Sequence, residues 1–198
     1  MATTEPIRSK EQLTALAEYF HAQKNYRNYV LVVMGAHTAL RIGDLLKLCW
    51  QDVYDANREV FRKHIFLDEQ KTDKGKAIAL NEKVVEALSE YYPCHAGEYI
   101  FESRKRGRPI SRVQAYRIIR DACVELGIDG KIACHSLRKT WGYHAWTSGE
   151  VSPVVIMEVY NHSSYEITKR YLGIQQDDLD QAYLGMKLFD DDEKLGED

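Results

Sequence analysis

The sequence has few of the residues that cross-link, stiffen or anchor a chain. Four cysteines and four prolines occur in 198 residues. Cys49, Cys94, Cys123 and Cys134 show neither a C-x-x-C pair nor the spacing of a secreted disulfide framework. They read as reduced, mostly buried thiols of a cytoplasmic protein. The longest apolar run, Tyr29 to Ala36, is too short to cross a membrane. Met1 to Lys10 lacks the apolar core of a signal peptide. There is no Gly-rich phosphate loop, no carboxylate cluster and no His/Cys set at metal-ligand spacing. Metal-assisted hydrolysis and nucleotide binding of the common types are thereby disfavoured. Internal repeats and Pro/Gly/Ser-rich linkers are also missing.

The length suits one domain that buries its own core. A charged fraction of 29% with 11% aromatics is ordinary for a globular chain. The net charge of −3 averages two unlike parts. Residues 177–198 hold nine acids and two bases, a balance of −7, which leaves +4 for residues 1–176. A mildly basic body with an acidic tail hints at a polyanionic partner.

Periodicity predicts a mostly helical α+β domain with one small antiparallel sheet. Ser9 and Gln12 have the spacing of a capping box ahead of Leu13, Leu16, Ala17 and Phe20. Further helices are expected over Tyr26 to His37, Arg41 to Leu48 and Glu82 to Tyr92. Val60 to Asp68 and Ala77 to Leu80 read as a hairpin around Thr72 to Gly75, with a short strand at Tyr99 to Phe101. Ser111 to Leu126, Ser136 to Ser148, Val154 to Tyr160, Ser164 to Leu172 and Asp178 to Lys187 read as helices.

Several polar groups stand out against this frame. His135 and Arg138 lie at i and i+3, on one face of a helix. His162 falls just before a capped helix that carries Tyr171. Arg41 sits among apolar residues, and Asp44 is its local candidate partner, since a buried guanidinium needs one. Lys71 ends the first hairpin strand, with Lys74 and Lys76 as rivals. Two guanidiniums can grip phosphate oxygens through paired N–H donors. Tyrosine, with an unperturbed pKa of about 10, is a weak nucleophile until cations and a base assist it. A lysine can protonate a leaving alkoxide. The set suits covalent phosphotyrosyl chemistry on a phosphodiester.

Each member alone has a plainer reading. Tyr171, four residues after Ile167, is more often a core residue, and Arg41 with Asp44 more often a structural ion pair. Taken together and in order, Thr38-Ala39-Leu40-Arg41 through Asp44-Leu45, Lys71-Thr72, His135 to Arg138, and His162-Ser163-Ser164 through Thr168 to Tyr171 resemble the catalytic domain of the tyrosine recombinases, the phage integrase family. The resemblance covers roughly residues 9–185. It implies that Arg41 and Arg138 clamp the scissile phosphate and that Lys71 protonates the 5′ leaving oxygen. It further implies that His135 accepts or relays the tyrosine proton, His162 hydrogen-bonds a phosphate oxygen, Asp44 holds Arg41, and Tyr171 attacks to give a 3′-phosphotyrosyl link. No metal and no cofactor is implied. The implied partners are double-stranded DNA and further copies of the chain, as a tetrameric synapse. The implied outcome is integration, excision or inversion. Type IB topoisomerase-like relaxation and a non-cleaving DNA-binding regulator are the alternatives.

The sequence departs from the family pattern in places. Ala39 replaces the usual Gly, Asp44 the commoner Glu, and Asn161 the Gly before His162. Asn tolerates positive φ best among the other residues. The expected organisation is a catalytic domain over 1–187 and a disordered acidic tail over 188–198, without the N-terminal core-binding domain. The chain is then an excised catalytic domain or a short single-domain member like the fimbrial phase-switch invertases. Arg104, Lys105, Arg106, Arg108 and Arg112 are candidates for DNA-backbone contacts. The tail is a solubiliser or a mask over the basic surface. The last helix, with Leu179, Ala182, Tyr183 and Met186 on one stripe, docks on a neighbouring protomer in the family or else on its own chain.

Overall fold

The computed structural model describes residues 4–67, 75–95, 97–105, 107–172 and 176–186. Ten α-helices and four short strands are present among them. Helix α1 (Lys10–Ala22) starts at Ser9, whose Oγ accepts the Gln12 N–H. The reciprocal half of the predicted box is replaced, because the Ser9 hydroxyl donates to Glu11 instead. Helix α2 (Tyr26–His37) matches its expected bounds and is buried continuously from Asn28 to Ala36. An apolar run without a polar face requires cover on all sides, and α1, the later helix α5 (Glu82–Tyr91) and α7 (Cys134–Thr147) supply it. Gly35 makes the α2–α7 approach possible, since a Cβ there would sit 2.6 Å from Leu137 Cδ1.

The predicted helix from Arg41 to Leu48 shrinks to one turn, α3 (Ile42–Leu45), with extended Arg41 as its N-cap. A further turn, α4 (Trp50–Val53), was not foreseen; Asp52 caps it by accepting the Cys49 N–H at 2.8 Å. The single predicted strand over 60–68 is divided. Residues Tyr54–Asp55 (β1) pair with Val60–Phe61 (β2), while His64–Leu67 (β3) pairs with Lys76–Ala79 (β4). Two two-stranded antiparallel sheets therefore stand where one was expected. The pairing changes between Arg62 and Lys63: the Arg62 N–H still bonds Val53 O in the β1–β2 register, whereas Lys63 O accepts the Leu80 N–H in the β3–β4 register. Tyr99 forms only an isolated bridge with Cys49, so the third strand is absent. The expected turn Thr72 to Gly75 falls outside the described residues except for Gly75.

Helix α6 (Arg112–Glu125) carries a full capping box between Ser111 and Gln114. Then come α7, α8 (Pro153–Tyr160), α9 (Tyr165–Leu172) and α10 (Gln176–Leu184). The main core lies beneath α1, α2, α5, α6 and α7. A second, smaller cluster of Ala39, Ile156, Tyr160 and Leu172 joins α7, α8 and α9. Of the four free thiols, Cys123 and Cys134 are buried, Cys49 is half-buried and Cys94 is exposed, so the expected burial holds for two of them. No described helix is long and apolar enough to cross a membrane.

Candidate active site

Helix α7 begins two residues before its expected start, which places His135 in its first turn and Arg138 one turn on. Ser136 fixes that start, accepting the Ala133 N–H at 3.0 Å. Arg138 is only 3% exposed. Its Nη1 donates to Ala39 O and its Nη2 donates to Tyr160 O at 2.8 Å. The guanidinium lies 4.6 Å from the Tyr160 ring centre. Gly142 leaves room for that ring; a Cβ there would be 2.7 Å from Tyr160 Cζ.

Tyr171 comes from α9 onto the same spot. Its hydroxyl is hydrogen-bonded to His135 Nε2, with Nδ1 at 3.4 Å. The two rings meet edge to face at 4.9 Å. His162 also packs edge to face against Tyr171, with ring centres 4.8 Å apart. Thr168, fully buried on α9, holds His162 Nδ1 at 3.1 Å. The turn between α8 and α9 that carries His162 needs a left-handed residue, and Asn161 takes it at φ 51, ψ 49. Ala39 likewise has φ 54, at the position where the family pattern has Gly, and its carbonyl faces Arg138.

The site is cationic and partly dry. Burial, then Arg138, Lys139 and Arg41, hold His135 below the usual imidazole range. Burial, then Arg138, Arg41 and His135, push His162 down to about 4. Both imidazoles are therefore neutral near pH 7. Burial lowers Arg138 as well, and Tyr171 opposes that shift. Among the described residues no carboxylate lies within ion-pair distance of Arg41, Arg138 or Lys139. A buried guanidinium bonded to carbonyls, with no anion beside it, is a prepared anion site.

Arg41, His135, Arg138, His162 and Tyr171 thus converge. Asp44 does not join them as expected. Arg41 is exposed rather than buried, and Asp44 makes no ion pair with it. Arg41 is the extended N-cap of α3, and its charge still acts on His135, Arg138 and His162, while Asp44 stays in the first turn of α3. Lys71 lies outside the described residues, as do Lys74 and Arg106. Lys76 Nζ donates to Val159 O, tying β4 to α8 beside the site. Arg104, Lys105 and Arg108 are exposed on a loop closed by the Glu102–Pro109 bridge and by Gly107 N–H donating to Glu102 Oε1 at 2.7 Å. The Arg112 guanidinium covers Gly43, where a Cβ would be 2.9 Å from Nη2, so it stands next to the turn bearing Arg41. Sequence reasoning passed over Tyr160 and Lys139 as site components, and quoted Thr168 only as part of a motif. The T-x-x-Y spacing was the available signal for Thr168.

A mostly helical domain with a tyrosine hydroxyl on a neutral histidine beside a buried arginine defines the tyrosine recombinase class. The family model described as Phage integrase family matches residues 8–177. The "Probable integrase/recombinase YoeC" of Bacillus subtilis (strain 168) is 38% identical over 184 residues, covering 92% of this chain and 97% of the relative. The type 1 fimbriae regulatory protein FimE of Escherichia coli (strain K12) is 28% identical and covers 83% of each chain. The crystal structure of XerA recombinase superposes with a TM-score of 0.72 at 25% identity, over 92% of this chain and 66% of that one. XerH recombinase bound to palindromic difH substrate gives 0.71 at 18% identity and is covered to 53%. The chain spans nearly all of the first relative and half to two thirds of these solved structures. It belongs to the phage integrase family, the tyrosine-type site-specific recombinases.

Proposed function

We propose that this chain cuts and rejoins double-stranded DNA through Tyr171. The Tyr171 oxygen attacks the scissile phosphorus, and its proton passes to His135. The bond from phosphorus to the 5′ oxygen breaks, and Lys71 supplies a proton to that oxygen. The DNA is left with a 3′-phosphotyrosyl link and a free 5′-hydroxyl. Attack by a 5′-hydroxyl reverses every step, so one phosphodiester is exchanged for another and no energy source is needed. Arg41 and Arg138 bind the non-bridging oxygens, whose charge grows in the transition state. His162, oriented by Thr168, donates a hydrogen bond to one of them. The observation that carries the reading is the Tyr171 hydroxyl on neutral His135 beside a buried Arg138 that has, among the described residues, no carboxylate in ion-pair distance.

Arg104, Lys105, Arg106, Arg108 and Arg112 contact the DNA backbone on this reading. Copies of the chain associate on DNA through α10, which leaves Tyr183 81% and Leu184 85% exposed. The domain proposal remains a catalytic unit over 1–187 followed by the acidic segment 188–198, which lies outside the described residues. Cytoplasmic location follows from a DNA substrate.

The test is covalent capture. The chain is incubated with nicked duplex fragments from its own source genome, then denatured, and DNA-bound protein is recovered. The expected result is an adduct that survives denaturation and disappears in Tyr171→Phe. A non-cleaving regulator gives binding without any adduct.

A further inference from the structure

Lys139 takes no part in the chemistry above, yet it is 5% exposed and stands against the nucleophile. Its Nζ lies 5.5 Å from the Tyr171 ring centre. It has no carboxylate in ion-pair distance among the described residues. Instead the ammonium donates to the Thr4 carbonyl at 2.6 Å. Thr4 belongs to a strap laid along α7. The Ile7 N–H donates to Thr140 Oγ1 at 2.8 Å, Ile7 O meets His144 Nε2 at 3.1 Å, and the Glu5 N–H donates to Lys131 O at 3.2 Å. Three neighbouring α7 residues are thus gripped by residues 4–7, directly behind the turn carrying His135 and Arg138. Burying an ammonium is costly, and a lone backbone carbonyl repays little of that. The feature makes sense if the charge acts on what it faces.

We infer that Lys139 is a positioning residue for Tyr171, held in place by the N-terminal strap. The inference rests on Tyr171 being the nucleophile. A cation beside an aromatic ring favours the ring orientation it faces, and its attraction grows as negative charge develops on the phenolic oxygen. The ammonium therefore fixes the ring during attack and favours the charge that forms. The other groups facing Tyr171 are His135 and Arg138 from α7, Tyr160 from α8 and His162 from the α8–α9 turn. Glu5 faces Lys139 from the strap, and Arg41 acts on the two histidines. Displacing the strap should loosen the nucleophile without touching the DNA-binding surface.

The experiment measures adduct formation on a captured nicked duplex across pH, at saturating and at limiting DNA. Lys139→Met keeps the volume and removes the charge. It is expected to slow adduct formation at saturating DNA at least tenfold, to leave DNA affinity unchanged, and to move the alkaline rise of the rate to higher pH. Lys139→Arg is expected to restore most of the rate. A chain beginning at Pro6 keeps the Ile7 bonds but loses the Thr4 carbonyl, and should fall in the same direction. Wild-type rates and pH profile in Lys139→Met overturn the inference. Equal losses in the Met and Arg variants with an unmoved pH profile overturn it too, since they mark a packing role. A wild-type chain that forms no adduct removes the nucleophile assignment itself, which separates the two failures.

Discussion

Tyr160 and Arg138 hold each other by their backbones: the Tyr160 hydroxyl donates to Arg138 O at 2.7 Å, and Arg138 Nη2 donates to Tyr160 O at 2.8 Å. The pair ties α7 to α8 and holds the guanidinium between two carbonyls. It also separates two tyrosines five ångströms apart between ring centres. Burial pushes the Tyr160 phenol up and its proton is committed to a carbonyl, whereas Tyr171 is half-buried and faces a neutral imidazole.

Tyr160→Phe removes one buried hydrogen bond, while Arg138 O keeps its place in the α7 ladder. It should cost about 0.5–1.5 kcal/mol of stability, read from urea unfolding, and should leave the guanidinium on its two carbonyls, so adduct formation falls far less than in Tyr171→Phe. Tyr171→Phe should leave the urea midpoint within about 0.5 kcal/mol of the parent, as expected for a partly exposed hydroxyl, while abolishing the adduct.

Gly142→Ala forces a methyl into the Tyr160 ring. Overpacking of this kind costs about 1–3 kcal/mol. The loss should be cut in the double variant Gly142→Ala with Tyr160→Leu, where the ring is gone; strict additivity of the two single losses would contradict the contact.

The two left-handed residues respond differently. Asn161→Gly should be tolerated, and Asn161→Val should lose 1–3 kcal/mol because a branched residue is strained at φ 51. Ala39→Gly relieves strain of similar size, but it also removes a fully buried methyl worth about 0.8 kcal/mol and adds chain entropy. Its net effect should lie within about 1 kcal/mol of zero. Urea titration of the three variants checks both statements.

Stability should fall as pH drops from about 6.5. His135, His144 and His162 all have folded values below that of a free imidazole, mainly through burial. The unfolded chain then binds more protons than the native one below pH 6.5, so the stabilisation is complete above that value. It is lost as pH passes down through the folded values, reaching about 4 for His162. Urea midpoints between pH 7 and 5 should decline, and His162→Gln should flatten the decline. A pH-independent midpoint across that window would contradict the buried neutral histidines.

Arg112 and the 103–108 loop should show in salt dependence. Arg112→Ala should lower the slope of log affinity against log salt by about 0.9, one phosphate contact, and Arg104→Ala or Arg108→Ala should do the same. An unchanged slope assigns these residues to a solvated face.

Much of the fold was legible because helix signals are local. The helices expected over Tyr26 to His37 and Ser111 to Leu126 have bounds that the structure keeps to within a residue. The divided hairpin was not legible, because Arg62 continues the β1–β2 pairing with Val53 while Lys63 already pairs with Leu80, a change of partner that no apolar pattern marks. Burial of Arg41 was misjudged for a related reason. Its apolar neighbours imply a buried turn, but Arg41 is the N-cap of α3 and stays exposed while its charge reaches the two histidines. His135, Arg138, His162 and Tyr171 could be picked out by motif spacing. Lys139 could not, since its significance lies in Thr4, 135 positions away.

The most direct measurement is peptide mapping of the covalent DNA adduct after nuclease trimming. The account predicts a nucleotide joined through its 3′-phosphate to Tyr171, with a free 5′-hydroxyl on the other strand end. Attachment at Tyr160 or Tyr165, a 5′-phosphotyrosyl link, or cleavage without any attached peptide would contradict it.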